Sequence, residues 1–100
     1  MKLDKNVLAQ IEKIVKSMNL PCDSVDVIGN RLVFFHCSEV MENGIDEYIE
    51  AFGYENFLKI TDFEINTTTY IINLETLPED YINPLLNYFG QNSESWMKNS

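Results

Sequence analysis

Apolar residues recur at helical spacing from the start of the chain. Leu3, Val7, Ile11, Ile14 and Met18 lie four, four, three and four residues apart, with Leu8 and Val15 widening the stripe. Lys2, Lys5, Gln10, Glu12, Lys13 and Lys16 fill the opposite side, so the pattern predicts an amphipathic helix of about four turns that ends before Pro21. The stripe would also suit a coiled-coil or dimer seam, although a run of fewer than three heptads is too short to require one.

The period then changes to two. In DSVDVIGNRLVFFHC, two β-branched runs flank Gly29-Asn30, the signature of a hairpin with a two-residue loop. That loop sets Ile28 opposite Arg31, Val27 opposite Leu32, Val25 opposite Phe34 and Asp23 opposite His36. Val25, Val27, Leu32 and Phe34 then share an apolar face. Asp26, Ile28, Arg31, Val33 and Phe35 share the other, which is mixed and expected to be only partly covered.

Ser38–Gly53 returns to helical spacing, with Val40, Ile45, Tyr48, Ile49 and Phe52 on one side. Its solvent side is wholly acidic, holding Glu39, Glu42, Asp46, Glu47 and Glu50 and no basic residue. Ser38 or Asn43 would cap its start and Gly53 its end, and Asn43-Gly44 is a candidate break after the first turn. A second hairpin is expected from Phe57–Ile65 and Tyr70–Leu77 around Asn66-Thr67-Thr68-Thr69. This sets Ile65 opposite Tyr70, Phe63 opposite Ile72 and Thr61 opposite Leu74, with a candidate bulge where the alternation slips between Ile60 and Phe63. Pro78, Glu79 and Asp80 resemble a helix start, and a helix restarting near Asn83-Pro84 is expected to stop at Gly90.

The order α-ββ-α-ββ-α predicts an α+β fold: a four-stranded antiparallel sheet of two hairpins with helices mainly on one face. Residues 1–90 read as one domain, and 91–100 as a polar tail docked in part through Trp96 and Met97. An apolar remainder on the second sheet face would invite a homodimer.

Composition sharpens this picture through charge. At 100 residues and 45% hydrophobic, the chain can bury a core without metals or disulfides. Its net charge of −9 is unevenly placed: from Asp23 to Glu94 there are 14 acids against only Arg31 and Lys59, while four lysines lie in the first helix region. Such a field repels nucleic acid and anionic membrane and attracts basic proteins. MKLDKN has no apolar leader core and no stretch is long enough to span a membrane, so a cytoplasmic protein with reduced Cys22 and Cys37 is expected.

Candidate chemistry is sparse. His36 and Cys37 are strand neighbours whose side chains diverge, so they do not make a nucleophile–base pair. Asp23 across the hairpin would instead pair with His36. Cys22 and Cys37 fall opposite one another, where a disulfide is conceivable but the expected compartment opposes it. No Cys-x-x-Cys, calcium-loop or phosphate-loop pattern is present, so no metal and no cofactor is expected. Asn66-Thr67-Thr68 fits a glycosylation acceptor that a cytoplasmic chain would not use. No stretch predicts the buried carboxylate pair that acid–base catalysis needs, so no enzyme is expected.

The acidic helix remains. Its carboxylates, with Glu55 beyond it, form the candidate partner-binding set Glu39, Glu42, Asp46, Glu47, Glu50 and Glu55. The partner they imply is a basic-surfaced protein such as a nuclease or another nucleic-acid-binding enzyme. In charge and size the chain resembles small acidic stoichiometric inhibitors: phage antirestriction and anti-CRISPR proteins, inhibitors of DNA-repair enzymes, and immunity proteins of nuclease toxins. Charge reversal at Asp46, Glu47 and Glu50 is then expected to weaken binding and leave stability alone. Two other readings stand beside this one: a regulatory or structural homodimer with incidental acidity, and a small ligand-binding domain with a pocket lined by Tyr48, Tyr54, Tyr70 or His36.

Overall fold

A computed structural model describes residues 4–53 and 55–99. Lys2, Leu3, Tyr54 and Ser100, and the side chains of Phe52, Lys98 and Asn99, lie outside the described set. The elements run α1 (Lys5–Ser17), β1 (Cys22–Ile28), β2 (Arg31–Cys37), α2 (Glu39–Phe52), β3 (Phe57–Asp62), β4 (Thr67–Asn73), a 3₁₀ turn (Glu79–Tyr81) and α3 (Ile82–Asn99). The four strands form one antiparallel sheet in the order β1-β2-β4-β3, so the expected α+β architecture is the observed one.

Both early helices start on capping side chains. The Asp4 carboxylate accepts from the Val7 N–H at 2.9 Å and the Ser38 hydroxyl from the Met41 N–H at 3.2 Å. Gly53 closes α2 at φ +100°, where its N–H reaches the Ile49 carbonyl at 2.7 Å. All three helices cover one face of the sheet. α1 lies against β1, α3 runs beside both other helices, and α2 sits over β3 and β4 through Tyr48–Phe57 and Tyr70. Ile11 and Val15, Met41 and Ile45, and Leu85 and Phe89 meet Leu32, Phe34, Tyr70 and Ile72 in one continuous core.

The first hairpin has the expected register, with Ile28 opposite Arg31, Val27 opposite Leu32 and Val25 opposite Phe34. The second does not. Its loop is 63–66 rather than 66–69, and Tyr70 pairs with Lys59, six residues before Ile65. Two local devices set that turn: the Asp62 side chain accepts from the Glu64 N–H at 3.0 Å, and Asn66 takes φ +52°. Thr67–Thr69 are thereby released to act as strand, while Phe63 and Ile65 are left exposed. The β3–β4 ladder is regular. The irregularity lies in β2, where Phe35 and His36 oppose Thr69 and His36 sits at φ +52°. That bulge turns Cys37 into the core, where it is buried.

Two further expectations are corrected. α2 is continuous through Asn43-Gly44. Gly44 is a notch for the Trp96 indole: a Cβ there would lie 2.5 Å from the ring. α3 does not stop at Gly90 but continues to Asn99, because Ile82, Leu85, Phe89 and Trp96 form one buried stripe at helical spacing. Trp96 is buried and Met97 is half exposed. No described helix is long and apolar enough to cross a membrane.

Candidate functional site

The acidic residues of α2 divide into two groups. Glu42 and Asp46 face the edge of the sheet, where Lys59 of β3 reaches Asp46 at 3.0 Å and Glu42 at 3.5 Å. The Tyr70 hydroxyl, from β4, donates to the Asp46 carboxylate at 2.6 Å and lies 3.2 Å from the Glu42 carbonyl. Tyr70 is a fully buried residue. Burial first, and then the hydrogen bond to Asp46, hold its hydroxyl well above the usual phenol range. The hydrogen bond to Asp46 likewise raises Lys59 above the usual ammonium range, against a smaller opposing effect of burial. Asp46 therefore ties α2 to β3 and β4, and it is a structural carboxylate whatever else it binds.

Glu39, Glu47 and Glu50 form the second group, with Glu55 just past the helix. All four are exposed and have no ion-pair partner among the described residues. α2 places five carboxylates between Glu39 and Glu50. At 1.5 Å per residue this is about one carboxylate per 4 Å of helix axis, and about 8 Å between successive members of the uncompensated set Glu39, Glu47 and Glu50 on average. Lys5, Lys13 and Lys16 are exposed on α1, over β1 at the opposite edge of the sheet. The segregation of charge in the sequence is thus also a segregation in space, with a basic helix at one edge and an acidic helix at the other.

The remaining candidates resolve into structural roles. His36 Nδ1 and the Asp23 carboxylate are 2.9 Å apart across the hairpin, the expected pairing, on a partly exposed rim. Cys22 and Cys37 are register partners and both are free thiols. Burial first, then Asp23, pushes the Cys22 thiol up to about 11, and burial raises Cys37 further. Both are poor nucleophiles at neutral pH. Tyr48 and Tyr70 are buried in the core and His36 sits on the bulge of β2, while Tyr54 lies outside the described residues. Among the described residues no group of three metal-ligating side chains comes together.

The sequence reading missed two contacts near these groups. The Glu12 carboxylate accepts from the Val27 N–H at 2.9 Å, closing the outer edge of β1. Tyr88 donates its hydroxyl to the Gly44 carbonyl at 2.7 Å, which with Trp96 fixes α3 onto α2. Compared with models of known protein families, with curated proteins and with solved structures, the chain matches none.

Proposed function

We propose that the chain is an acidic protein-binding module acting as a stoichiometric inhibitor of a nucleic-acid-acting partner. The observation that carries this reading is the row Glu39, Glu47 and Glu50 on α2, exposed and uncompensated among the described residues, with Glu55 beyond it. Exposed carboxylates in a row compete for the basic groove that a nuclease or nucleic-acid-binding enzyme offers to phosphates. The long-range field of a chain of net charge −9 would also speed encounter with such a groove. Glu42 and Asp46 contribute less to this surface, because Lys59 offsets their charge.

The reading is tested by capture. Immobilised protein is exposed to host lysate beside the Glu39→Lys/Glu47→Lys/Glu50→Lys variant, and bound proteins are identified by mass spectrometry. A basic nucleic-acid-acting protein retained by the native chain, released by salt and absent from the variant supports the proposal. Equal retention by both proteins, or no basic protein on either, removes it.

A further inference from the structure

The sheet face turned away from the helices is mixed: six apolar residues share it with Ser24, Thr67, Thr69, Asn73 and three charged groups, and Val33 at its middle is buried by its neighbours. By register Ile28, Val33, Phe35, Leu58, Ile60 and Ile71 stand on it. Ile28 and Leu58 are each 55% exposed and Ile60 is 49% exposed. Phe63, 87% exposed, and Ile65, 56% exposed, extend the apolar surface past the end of β3. Of the chain's 16 acids, the strand registers place only Asp26 and Asp62 on this face, and Lys16 reaches around β1 to pair with Asp26 at 3.5 Å. Arg31 stands on it with no ion-pair partner among the described residues.

We infer that this face seats a second copy of the chain, the two sheets packing face to face about a two-fold axis that lies across the strands. Size is the first argument. Four strands about 4.8 Å apart and about six residues long give a footprint of roughly 400 Å² in projection. Corrugated side chains and the Phe63–Ile65 turn bring this toward the roughly 600–800 Å² per partner that specific interfaces use.

Charge is the second argument, and it selects the occupant. Two copies carrying −9 each repel almost everywhere, yet here they meet without stacking carboxylates. Arg31 and Asp62 lie at opposite ends of the face, since β2 starts where β3 starts and Asp62 ends β3. Because β4 separates β2 from β3, a two-fold across the strands brings Arg31 of each sheet over Asp62 of the other when it is inclined to bisect the line joining them. One contact is thus made twice by symmetry. Edge-to-edge pairing through β1 is disfavoured at one outward donor, the Val27 N–H, which Glu12 already occupies.

The test uses the purified chain alone, so its outcome is independent of the proposed inhibitor role. Sedimentation from low to high micromolar concentration is expected to give the mass of two chains. Leu58→Glu/Ile60→Glu, at two positions already half exposed, is expected to sediment as one chain with an unchanged far-ultraviolet circular dichroism spectrum. Arg31→Glu and Asp62→Asn, the latter keeping the side-chain oxygen that accepts from the Glu64 N–H, should each weaken the dimer by about tenfold or more. A native chain that sediments as one copy throughout overturns the inference. So does a Leu58→Glu/Ile60→Glu variant that still dimerises as the native chain does. Should that variant fail to fold, the charge pair decides, and undiminished dimerisation in both Arg31→Glu and Asp62→Asn refutes the arrangement.

Discussion

Replacing Asp46 by alanine separates the structural part of the acidic helix from the part available for binding. The substitution removes the acceptor of the buried Tyr70 hydroxyl at 2.6 Å and one of the two carboxylates holding Lys59. A hydrogen bond to an ionised acceptor contributes about 1.5–3 kcal/mol. The lower half of that range applies, because the Glu42 carbonyl 3.2 Å away can still take the phenol proton. Loss of the exposed Lys59 pair adds about 0.2–1 kcal/mol, reduced because Glu42 remains in reach at 3.5 Å. Alanine is the better helix former by about 0.5 kcal/mol, which offsets part of the loss. The net expectation is a destabilisation of about 1.5 kcal/mol, a fall in Tm of roughly 6–12 °C for a domain of this size. Urea unfolding followed by the fluorescence of buried Trp96 measures it. Glu50→Ala is the control, with a smaller propensity gain and no described partner to lose, and it should be neutral or slightly stabilising. A double-mutant cycle with Tyr70→Phe should return a coupling of about 1 kcal/mol or more. If Asp46→Ala proves as stable as Glu50→Ala, or the two substitutions simply add, the assignment of Asp46 to the fold is wrong.

Gly44→Ala inverts the usual helix rule. Alanine in a helix interior ordinarily stabilises by about 1 kcal/mol over glycine, but here the new Cβ would lie 2.5 Å from the Trp96 ring, so a loss of about 1–3 kcal/mol and a shifted tryptophan emission are expected. Stability should also fall above about pH 9. Cys22, Cys37, Tyr48, Lys59, Tyr70 and Tyr88 all have raised values in the fold, so their contributions are complete below the unfolded values and are lost as pH rises past them. Each group that has lost its proton only in the unfolded chain adds a slope of about 1.4 kcal/mol per pH unit, and urea midpoints at pH 7 to 10.5 would show it. A midpoint flat to pH 10.5 contradicts this. Iodoacetamide at pH 8 should label neither thiol readily in the native chain and both after unfolding, read by mass spectrometry. Rapid native labelling of Cys37 would contradict its burial.

What could be read from the chain follows how local each signal is. Gly29-Asn30 fixes the first hairpin pair by pair, because a two-residue loop between β-branched runs admits one register. The second hairpin was ambiguous, since Thr67–Thr69 serve equally as strand or loop and the apolar Phe63 and Ile65 suggest strand where the turn lies. The signals that decided it, an Asp62 side-chain turn and Asn66 at positive φ, are present in the sequence but weak. The continuation of α3 was hidden by Asn92, which interrupts the apolar stripe between Phe89 and Trp96 and bonds back to the Tyr88 carbonyl at 2.8 Å. Within the acidic helix, the carboxylates of the solvent side could be named from periodicity alone. Their division into Glu42 and Asp46 against Glu39, Glu47 and Glu50 could not, because it depends on Lys59 and Tyr70, which lie 13 and 24 residues beyond Asp46.

That division defines the decisive measurement. A basic partner recovered by capture is titrated calorimetrically with the native chain and with Glu39→Lys/Glu47→Lys/Glu50→Lys, in the presence and absence of the partner's nucleic acid and at two salt concentrations. The account predicts one-to-one binding that weakens with salt, is displaced by nucleic acid, and is lost in the variant while its unfolding free energy stays within about 0.5 kcal/mol of the native value. Unchanged binding by the variant would contradict it.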